Sequence, residues 1–334
     1  FFVVDYMQFL LSQIAQICSA KHYGADCTVS SFITDSRTTS STTSALFVAM
    51  RGVNHDAHDY INDMVERGVR AFIVEHEVVL PDGCGAVVVD NALKALQKLA
   101  AFRRDNFEGH VVAITGSNGK TTVKEWIAQS LPQNAKLYRS PRSYNSQLGV
   151  ALSLLMMPDD AQIALIEAGI SQEGEMASLE SMIAPQTVLF TSIGDAHQSN
   201  FRSLEDKICE KIYLAKSAER IIYNSEYRQL AAAIEERYYD RSLVDCAFEQ
   251  VENLPDGVWE GNARLVYAFC RTFGFAAPDF SQLQPLSMRL EVKQGVDDAL
   301  IIDDSYSCDI DSLTIALDYL NSVAQSRRKV VILS

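Results

Sequence analysis

A glycine-containing turn between a predicted strand and a predicted helix is the strongest chemical signal in the sequence. The stretch Ala113-Ile-Thr-Gly-Ser-Asn-Gly-Lys-Thr-Thr122 leaves an apolar run, turns through Gly116 and Gly119, and enters a helix near Thr121. Backbone N–H groups of such a turn close around an anion, Lys120 can reach the outer phosphates, and a threonine hydroxyl suits Mg²⁺. An isoleucine occupies the first glycine position of the full pattern, and an ordinary turn is the alternative. The strand and helix on either side favour a nucleotide-binding site.

Two polar residues follow apolar runs that are typical of buried parallel strands. Glu167 comes directly after Ile163–Ile166, and His197 follows Val188–Phe190 after a short turn. Parallel strands of an α/β sheet end at one edge, and ligands bind there. We therefore expect both side chains to reach the crevice that holds the glycine turn. A capping or solvent-facing glutamate and a structural histidine are the alternatives.

The sequence divides into three regions by pattern. Residues 1–107 carry an amphipathic helix, short apolar runs and a last helix from about Asn91 to Phe107, which predicts a small α/β domain. In residues 108–284 strands alternate with helices, which predicts βαβ units and a parallel sheet covered on both faces. A third unit occupies residues 285–334. The pattern predicts an α/β protein with three domains.

The third unit is expected to be incomplete. It has predicted strands at Met288–Lys293, Leu300–Asp303 and Lys329–Leu333, and a predicted helix from Ser312 to about Ala324. These few elements cannot bury their apolar faces among themselves, and a buried strand needs neighbours in a sheet.

Composition excludes several classes of protein. No apolar run in the 334 residues approaches the ~20 residues that span a bilayer, so we expect no membrane insertion. A net charge of −14 repels polyanions, so we expect no nucleic-acid partner. The seven cysteines are scattered without a CxxC pair, as in a reduced cytosolic protein. This cysteine pattern predicts a cytoplasmic location, and the start, which lacks a basic leader, predicts no signal peptide.

The motifs together resemble one enzyme family. Thr115-Gly-Ser-Asn-Gly-Lys-Thr-Thr122 is similar to the shortened ATP loop of the Mur ligases, a family related to folylpolyglutamate synthetase. Further segments agree in order and spacing, namely Asp35-Ser-Arg37, Phe47-Val-Ala-Met-Arg-Gly52, His55-Asp56, Tyr144-Asn-Ser146 with Gly149, Glu167-Ala-Gly169, Gly174-Glu175, Thr191-Ser-Ile-Gly-Asp-Ala-His197 and Asp304-Ser-Tyr306. The resemblance implies a UDP-sugar-binding domain at 1–107, a central ATP-binding P-loop domain at 108–284 and the start of a C-terminal ligase domain at 285–334.

The activity implied by the resemblance is ATP-dependent amide ligation in peptidoglycan synthesis. ATP phosphorylates the terminal carboxylate of UDP-N-acetylmuramoyl-tripeptide, and an amine then displaces phosphate from the acyl phosphate. The Ser-Asn pair of the loop and Asp303-Asp-Ser-Tyr306 are more similar to the member that adds D-alanyl-D-alanine than to the member that adds the third amino acid. The resemblance implies ATP and two Mg²⁺ ions as cofactors. Some members are fused to an alanine racemase.

Site residues follow from the resemblance, position by position. The nucleotide would contact Thr115, Gly116, Ser117, Asn118, Gly119, Lys120, Thr121, Thr122, Arg289 and Asp304. The UDP-linked substrate would contact Ser36, Arg37, Asn145 and Ser146, and the catalytic set comprises Lys120, Asn145, His197 and Lys211. Thr121 and Glu167 would hold one Mg²⁺, and His197 and Lys211 the second. Because an ammonium group is a poor Mg²⁺ ligand, Lys211 would act as its carbamate.

Some positions depart from the family pattern. Tyr306-Ser-Cys-Asp-Ile310 stands where the family has Tyr-Asn-Ala-Asn-Pro, Tyr213 replaces a glutamate, and Lys207 and Lys216 offer other registers for the carbamate. The alternatives are therefore another ligase of the superfamily and a module that binds nucleotide or UDP-sugar without catalysis. The sequence leaves open the third residue of the peptide and the oligomeric state.

Overall fold

A computed structural model gives the architecture of the chain. It describes residues 7–37, 44–52, 55–132, 134–194, 200–251, 260–283, 286, 291–296, 299–306, 310–324 and 328–333. In these ranges the chain forms two larger sheets with flanking helices, a small antiparallel pair near the start and a C-terminal hairpin with one helix. The α/β class expected from the sequence is confirmed. None of the helices in this part of the chain is long and apolar enough to cross a bilayer.

The first larger sheet is mixed and has the order β2-β7-β6-β5-β4. Its region comprises β1 (Phe9–Leu10), α1 (Leu11–Cys18), β2 (Lys21–Gly24), β3 (Thr28–Val29), β4 (Ser31–Ile33), β5 (Ala45–Val48), α2 (Ile61–Glu66), β6 (Ala71–Val74), β7 (Gly85–Val88) and α3 (Ala92–Asp105). Strand β2 runs antiparallel to β7, whereas β4 to β7 are parallel. The predicted apolar runs at Leu46–Ala49, Phe72–Val74 and Ala86–Val89 therefore form β5, β6 and β7, whereas β4 was not predicted.

The second larger sheet is parallel throughout and has the order β13-β12-β11-β8-β10-β9. Its region comprises β8 (His110–Thr115), α4 (Lys120–Ser130), β9 (Leu137–Arg139), α5 (Gln147–Leu155), β10 (Ile163–Glu167), α6 (Glu175–Ile183), β11 (Thr187–Phe190), α7 (Leu204–Ile212), β12 (Arg220–Tyr223), α8 (Arg228–Arg237), β13 (Ser242–Asp245) and α9 (Glu260–Thr272). Near-continuous apolar runs form β10 and β11, which are buried along their length.

Strand β8 lies between β10 and β11, and this order places the site. Glu167 at the end of β10 pairs with Ile114, and Phe190 at the end of β11 pairs with Thr115. All three strands therefore end at the same edge, next to the turn that follows β8. Chain connections leave β8 toward β9 on one side and later reach β11 on the other, which makes this edge a switch point where α/β sheets bind ligands.

Helix α3 joins the layers of the two larger sheets. Its Leu96 and Leu99 are fully buried in the same apolar cluster as Leu154 of α5. Near the end of the helix, Arg104 donates hydrogen bonds to the carbonyl oxygens of Ile183, at 2.8 Å, and Ala184, at 2.7 Å. The cation thereby satisfies carbonyl groups at the end of α6. The predicted domain boundary after residue 107 falls directly behind this packed helix and stays a prediction.

The C-terminal part contains β14 (Glu291–Gln294), β15 (Leu300–Asp303) and α10 (Ile310–Ala324). Strands β14 and β15 form an antiparallel hairpin, and the predicted bounds of β15 are confirmed. Residues 287–290 lie outside the described ranges. Arg289 is one of them, and so is the beginning of the predicted first strand. The predicted strand at Lys329–Leu333 is wrong, because residues 328–333 have no regular secondary structure. Ile332 is 89% exposed, so this apolar run has no sheet to pack against in the described part of the chain.

Candidate active site

Backbone geometry and close packing both require glycine in the phosphate loop, which is residues 116–119 between β8 and α4. Gly116 has φ +148° and Gly119 has φ +87°, a range that L side chains rarely adopt. A Cβ atom on Gly116 would lie 1.9 Å from Oγ1 of Thr191, and one on Gly119 would lie 2.5 Å from Oδ1 of Asn262. The end of β11 and the first turn of α9 therefore enclose the loop.

Two lysine side chains contact the phosphate loop, and a third lies beside it. Nζ of Lys120 donates hydrogen bonds to two loop carbonyl oxygens, including that of Gly116 at 2.9 Å. Nζ of Lys211 donates to the same Gly116 oxygen at 3.0 Å. Lys207, one turn earlier in α7, donates to the carbonyl oxygen of Gly194. Lys120 and Lys207, together with the backbone N–H groups of the turn, form a site for a polyanion.

Burial and charge act together on Lys211. Lys211 is 3% exposed. Its pKa is lowered well below the ordinary lysine range, first by burial and then by the charges of Lys120 and Lys207. The surroundings therefore favour the neutral amine. Lys216 is exposed, and its Nζ lies 5.5 Å from the ring centroid of Tyr213. Of the three registers that the sequence allows, the structure brings Lys207 and Lys211 to the loop and leaves Lys216 in solvent.

Glu167 and Thr121 place a carboxylate and a hydroxyl side by side. Glu167 is fully buried at the end of β10, and its Oε2 accepts a hydrogen bond from Oγ1 of Thr121 at 3.1 Å. The burial rules out a solvent-facing glutamate. Oγ of Ser143 lies 3.2 Å from the same threonine hydroxyl. Mg²⁺ takes hard oxygen ligands and keeps several waters, so this pair has the right chemistry for such an ion.

Lys124 is a residue of this site that the sequence reasoning missed. Its Nζ forms an ion pair with Oε1 of Glu167 at 2.7 Å, and both side chains are fully buried. The ammonium also donates hydrogen bonds to the carbonyl oxygens of Ser140, at 2.8 Å, and Arg142. A signal was present, because Lys124 falls within the helical stripe that contains Val123 and the apolar residues one turn later.

Asn262 was also missed, and here no local pattern could have found it. Its side chain meets Gly119 although the two residues are far apart in sequence and belong to different helical elements. Helix α9 packs against α4, which brings the asparagine amide to the phosphate loop. An amide that can donate and accept hydrogen bonds therefore borders the candidate nucleotide site.

The predicted substrate residues of the central region lie close to Glu167. The carbonyl oxygen of Asn145 accepts a hydrogen bond from the N–H group of Gly169 at 2.8 Å. A Cβ atom on Gly169 would lie 3.1 Å from Cγ of Asn145, so the amide side chain packs on this turn. Ser146 caps α5, because its Oγ accepts a hydrogen bond from the N–H group of Gly149 at 3.2 Å. Asn145 thus packs against the turn that follows Glu167, while Ser146 caps a helix.

Ser36 and Arg37 lie in a turn that follows β4 of the first sheet. Arg37 is 88% exposed, and its guanidinium forms two hydrogen bonds to Asp35, at 2.9 and 2.7 Å. These bonds lower the pKa of Asp35 to about 2. The carbonyl oxygen of Ser36 accepts a hydrogen bond from Arg67. The guanidinium group of Arg37 is planar, accessible to solvent and paired with one carboxylate. It can therefore exchange Asp35 for a phosphate group.

The remaining predicted residues divide between the loop and positions elsewhere. Thr115 ends β8 and is fully buried, Ser117 and Asn118 form the turn, and Thr122 lies in the first turn of α4. Asp304 directly follows β15 in the C-terminal part and is partly exposed. His197 and Arg289 lie outside the described residues.

Comparison with known proteins agrees with this arrangement. Residues 114–256 match the model of the Mur ligase middle domain. The UDP-N-acetylmuramoyl-tripeptide–D-alanyl-D-alanine ligases of Haemophilus influenzae and Bacillus subtilis are 29% and 27% identical over 92% and 86% of this chain. The Rickettsia prowazekii ligase of the same name is 37% identical over 48% of this chain. The chain spans 36% of the Rickettsia relative, 70% of the Bacillus relative and 75% of the Haemophilus relative.

Solved structures of this family share the fold. A crystal structure of MurF from Acinetobacter baumannii superposes with a TM-score of 0.81 at 23% identity, covering 94% of this chain and 77% of that one. MurF from Thermotoga maritima in complex with ADP gives a TM-score of 0.74 at 23% identity, covering 86% of this chain and 74% of that one. The fold and the phosphate loop define a P-loop α/β protein. The chain is similar to the Mur ligases, through the middle domain matched at residues 114–256 and the fold shared with these structures.

Proposed function

We propose that the chain acts as an ATP-dependent ligase that joins D-alanyl-D-alanine to UDP-N-acetylmuramoyl-tripeptide in peptidoglycan synthesis. One observation carries the proposal, namely that Thr121, Glu167 and the lysine-lined phosphate loop meet at one edge of the central sheet, in the region that matches the Mur ligase middle domain. The choice of substrates follows the activity named for the curated relatives from Bacillus and Haemophilus. The amine and the peptide are therefore parts of the proposal.

The phosphate loop would bind the phosphates of ATP. Its backbone N–H groups and the N-terminus of α4 attract an anion, and Lys120 would exchange its loop carbonyl partners for phosphate oxygens. Asn262 would border the nucleotide where it meets Gly119. Phosphoryl transfer depends mainly on positioning and on neutralising charge, which is what cations and backbone dipoles supply.

Thr121 and Glu167 would hold one Mg²⁺ ion. Their hydroxyl and carboxylate oxygens lie 3.1 Å apart, and hard oxygen ligands are what this ion prefers. When bound, the ion neutralises charge on the transferring phosphoryl group and orients it. A second ion would use His197 and Lys211. The carboxylate of the tripeptide would then take the γ-phosphoryl group, and the amine of D-alanyl-D-alanine would attack the resulting acyl phosphate and release phosphate.

Lys211 would serve as a carbamate. In this modification the neutral amine attacks CO₂, an N–C bond forms and one proton leaves. Burial and the charges of Lys120 and Lys207 lower the pKa of Lys211, which favours the reactive neutral amine. The same two cations would stabilise a carbamate anion, because opposite charges at short range favour the charged form. The environment that penalises ammonium therefore suits its modified form.

The other two regions would complete the site. We propose residues 1–107 as the UDP-sugar-binding domain, residues 108–284 as the ATP-binding domain and residues 285–334 as the start of the ligase domain. Ser36 and Arg37 would bind the uridine diphosphate, and Asn145 would orient the substrate beside Glu167. Arg289 and Asp304 would reach the nucleotide when the C-terminal part closes, since enzymes with reactive intermediates exclude water by closure.

Phosphate release tests the proposed function. The protein is incubated with ATP, Mg²⁺ and UDP-N-acetylmuramoyl-tripeptide, with and without D-alanyl-D-alanine. We expect phosphate and a UDP-linked pentapeptide only when the dipeptide is present. Turnover with a free amino acid in place of the dipeptide would indicate another ligase of the superfamily. If the protein binds nucleotide without turnover, and the full-length product of its gene does the same, the chain is a binding module.

A further inference from the structure

The ammonium group of Lys124 connects three segments of the central region. It lies in α4, contacts Oε1 of Glu167 at the end of β10 at 2.7 Å, and donates hydrogen bonds to the carbonyl oxygens of Ser140 and Arg142. Two of its three N–H donors bond to these carbonyl oxygens, and the charge of the ammonium group attracts the Glu167 carboxylate. The segment that starts at Ser140 also brings the hydroxyl of Ser143 to Thr121. One buried cation therefore touches each segment that forms the candidate Mg²⁺ site.

Stability alone does not explain a buried charge at this position. The side chains of Lys124 and Glu167 are each 0% exposed, and moving both charges out of water costs several kcal/mol per ion. Buried ion pairs are often no more stabilising than apolar residues of the same volume. The neighbours of Lys124 in the buried stripe of α4 are Val123, Trp126 and Ile127, so an apolar residue would suit the stripe. We therefore expect the charged pair to have a function other than stabilising the packing of α4.

The two oxygens of Glu167 have different partners. Oε1 faces Lys124, whereas Oε2 accepts the hydrogen bond from Thr121. Rotation of the carboxylate would break both contacts. Within the described residues, Oε1 accepts no aligned hydrogen bond, so charge attraction to Lys124 is what holds it. The orientation of the carboxylate toward Thr121 thus depends on the lysine.

We propose that Lys124 is a positioning residue for the metal site, which fixes the Glu167 carboxylate with Oε2 toward Thr121. This inference rests on the proposed function, which places Mg²⁺ between Thr121 and Glu167. Groups behind a metal ligand orient it, and their loss typically lowers metal affinity by about 10–100-fold. Lys124 acts through Glu167 and needs no contact with the substrate.

The loss of the Lys124 charge and the loss of its positioning role predict opposite changes in the affinity for a divalent cation, which makes the inference testable. Removal of an ammonium group beside a metal site makes the site more negative, and this change alone would strengthen the binding of a divalent cation. Loss of positioning would weaken it. Glu125 lies 3.4 Å from the same ammonium group but pairs with Arg139 at 2.9 Å, so it already has a cation of its own.

The experiment measures the affinity of ADP by calorimetry, once with Mg²⁺ and once with EDTA. Lys124→Met removes the charge at similar length, and Lys124→Gln keeps a hydrogen-bond donor and carries the test if the methionine variant does not fold. Arg103→Met is the matched control, because Arg103 is also a buried cation, is 1% exposed, and bonds to the carbonyl oxygen of Met157 away from the loop. Circular dichroism and thermal melting show whether each variant is folded.

We expect the Mg²⁺-dependent gain in ADP affinity to fall by about tenfold or more in the Lys124 variants, while the affinity in EDTA stays within about twofold. The Arg103 variant should keep the wild-type gain. An unchanged or larger gain in folded Lys124 variants would overturn the inference, and so would a parallel loss of affinity with and without Mg²⁺. If the wild-type protein itself showed no Mg²⁺-dependent gain, the proposed function would fail instead.

Discussion

Oγ1 of Thr121 lies 3.1 Å from Oε2 of Glu167, although one residue belongs to the first turn of α4 and the other to the end of β10. Helix α4 packs on β8 and β10, and this packing brings the two oxygens together. The same helix begins with Lys120 of the phosphate loop. A cation bound at this pair would therefore lie next to an anion bound by the loop, which is the arrangement that phosphoryl transfer requires.

Replacement of Thr121 by valine should remove the metal contact without changing the volume of the side chain. We expect Thr121→Val to lower the rate of phosphate release by about 100-fold, the cost of losing one preorganised electrostatic contact. Thr121→Ser retains the hydroxyl and should keep most of the rate. Rates are compared across a Mg²⁺ titration. Equal rates for valine and serine variants at every Mg²⁺ concentration would place the hydroxyl outside the metal site.

Gly119→Ala should lower the affinity for ADP by more than backbone strain at this position explains. Gly119 has φ +87° and its Cβ atom would lie 2.5 Å from Asn262, whereas Gly83 has φ +82° and open space around it. Gly83→Ala should lower the free energy of unfolding by about 1–2 kcal/mol through strain alone and leave ADP affinity unchanged. Gly119→Ala should lower both. The comparison uses chemical denaturation and calorimetry, and similar ADP affinities for the two variants would contradict the enclosed loop.

Lys211→Ala should abolish ligase activity, and short carboxylates should restore part of it. The expectation follows from the burial of Lys211 and its contact with Gly116 at 3.0 Å, where an added carboxylate could take the place of the carbamate. Lys216→Ala is the matched control, because Lys216 follows closely in sequence but is exposed. Activity is measured with increasing acetate or formate. Full activity of the unsupplemented Lys211 variant would rule out the carbamate.

Arg37→Ala should weaken the UDP-linked substrate selectively. We expect its Michaelis constant to rise by about tenfold or more, since charge-assisted hydrogen bonds contribute about 1.5–3 kcal/mol, while that for ATP stays within about twofold. Lys21→Ala provides the comparison, because Lys21 belongs to the same N-terminal region and is also exposed and paired with a carboxylate, that of Glu77. Steady-state kinetics measure the Michaelis constants for ATP and for the UDP-linked peptide in both variants. Equal increases for ATP and the UDP-linked peptide would place Arg37 away from the diphosphate.

Apolar runs were sufficient to predict most of the strands of both larger sheets. Runs such as Ile163–Ile166 are long, branched and bounded by turns, so their local pattern agrees with their place in a buried parallel sheet. The run at 329–333 has the same local pattern but no regular structure. A β-strand forms only where another strand pairs with it. The apolar pattern of one segment does not show whether such a partner strand is present.

Contacts between distant segments account for what the sequence did not show. Lys124 lies in the apolar stripe of α4, but its partners, the carbonyl oxygens of Ser140 and Arg142, come from another segment that the stripe does not reveal. Asn262 gives no local signal, because its contact with Gly119 arises from the packing of α9 on α4. The turn itself was predictable, since its glycines, lysine and threonine are consecutive and act as one unit.

The most direct test of carboxylate activation is the fate of labelled oxygen. UDP-N-acetylmuramoyl-tripeptide with ¹⁸O in its terminal carboxylate is incubated with ATP, Mg²⁺ and D-alanyl-D-alanine, and the products are analysed by mass spectrometry. Transfer of the γ-phosphoryl group to a carboxylate oxygen, followed by attack of the amine at carbon, predicts ADP and phosphate that carries one ¹⁸O atom. Label in AMP, or phosphate that contains only ¹⁶O alongside formation of the amide, would contradict an acyl phosphate and with it the role proposed for this site.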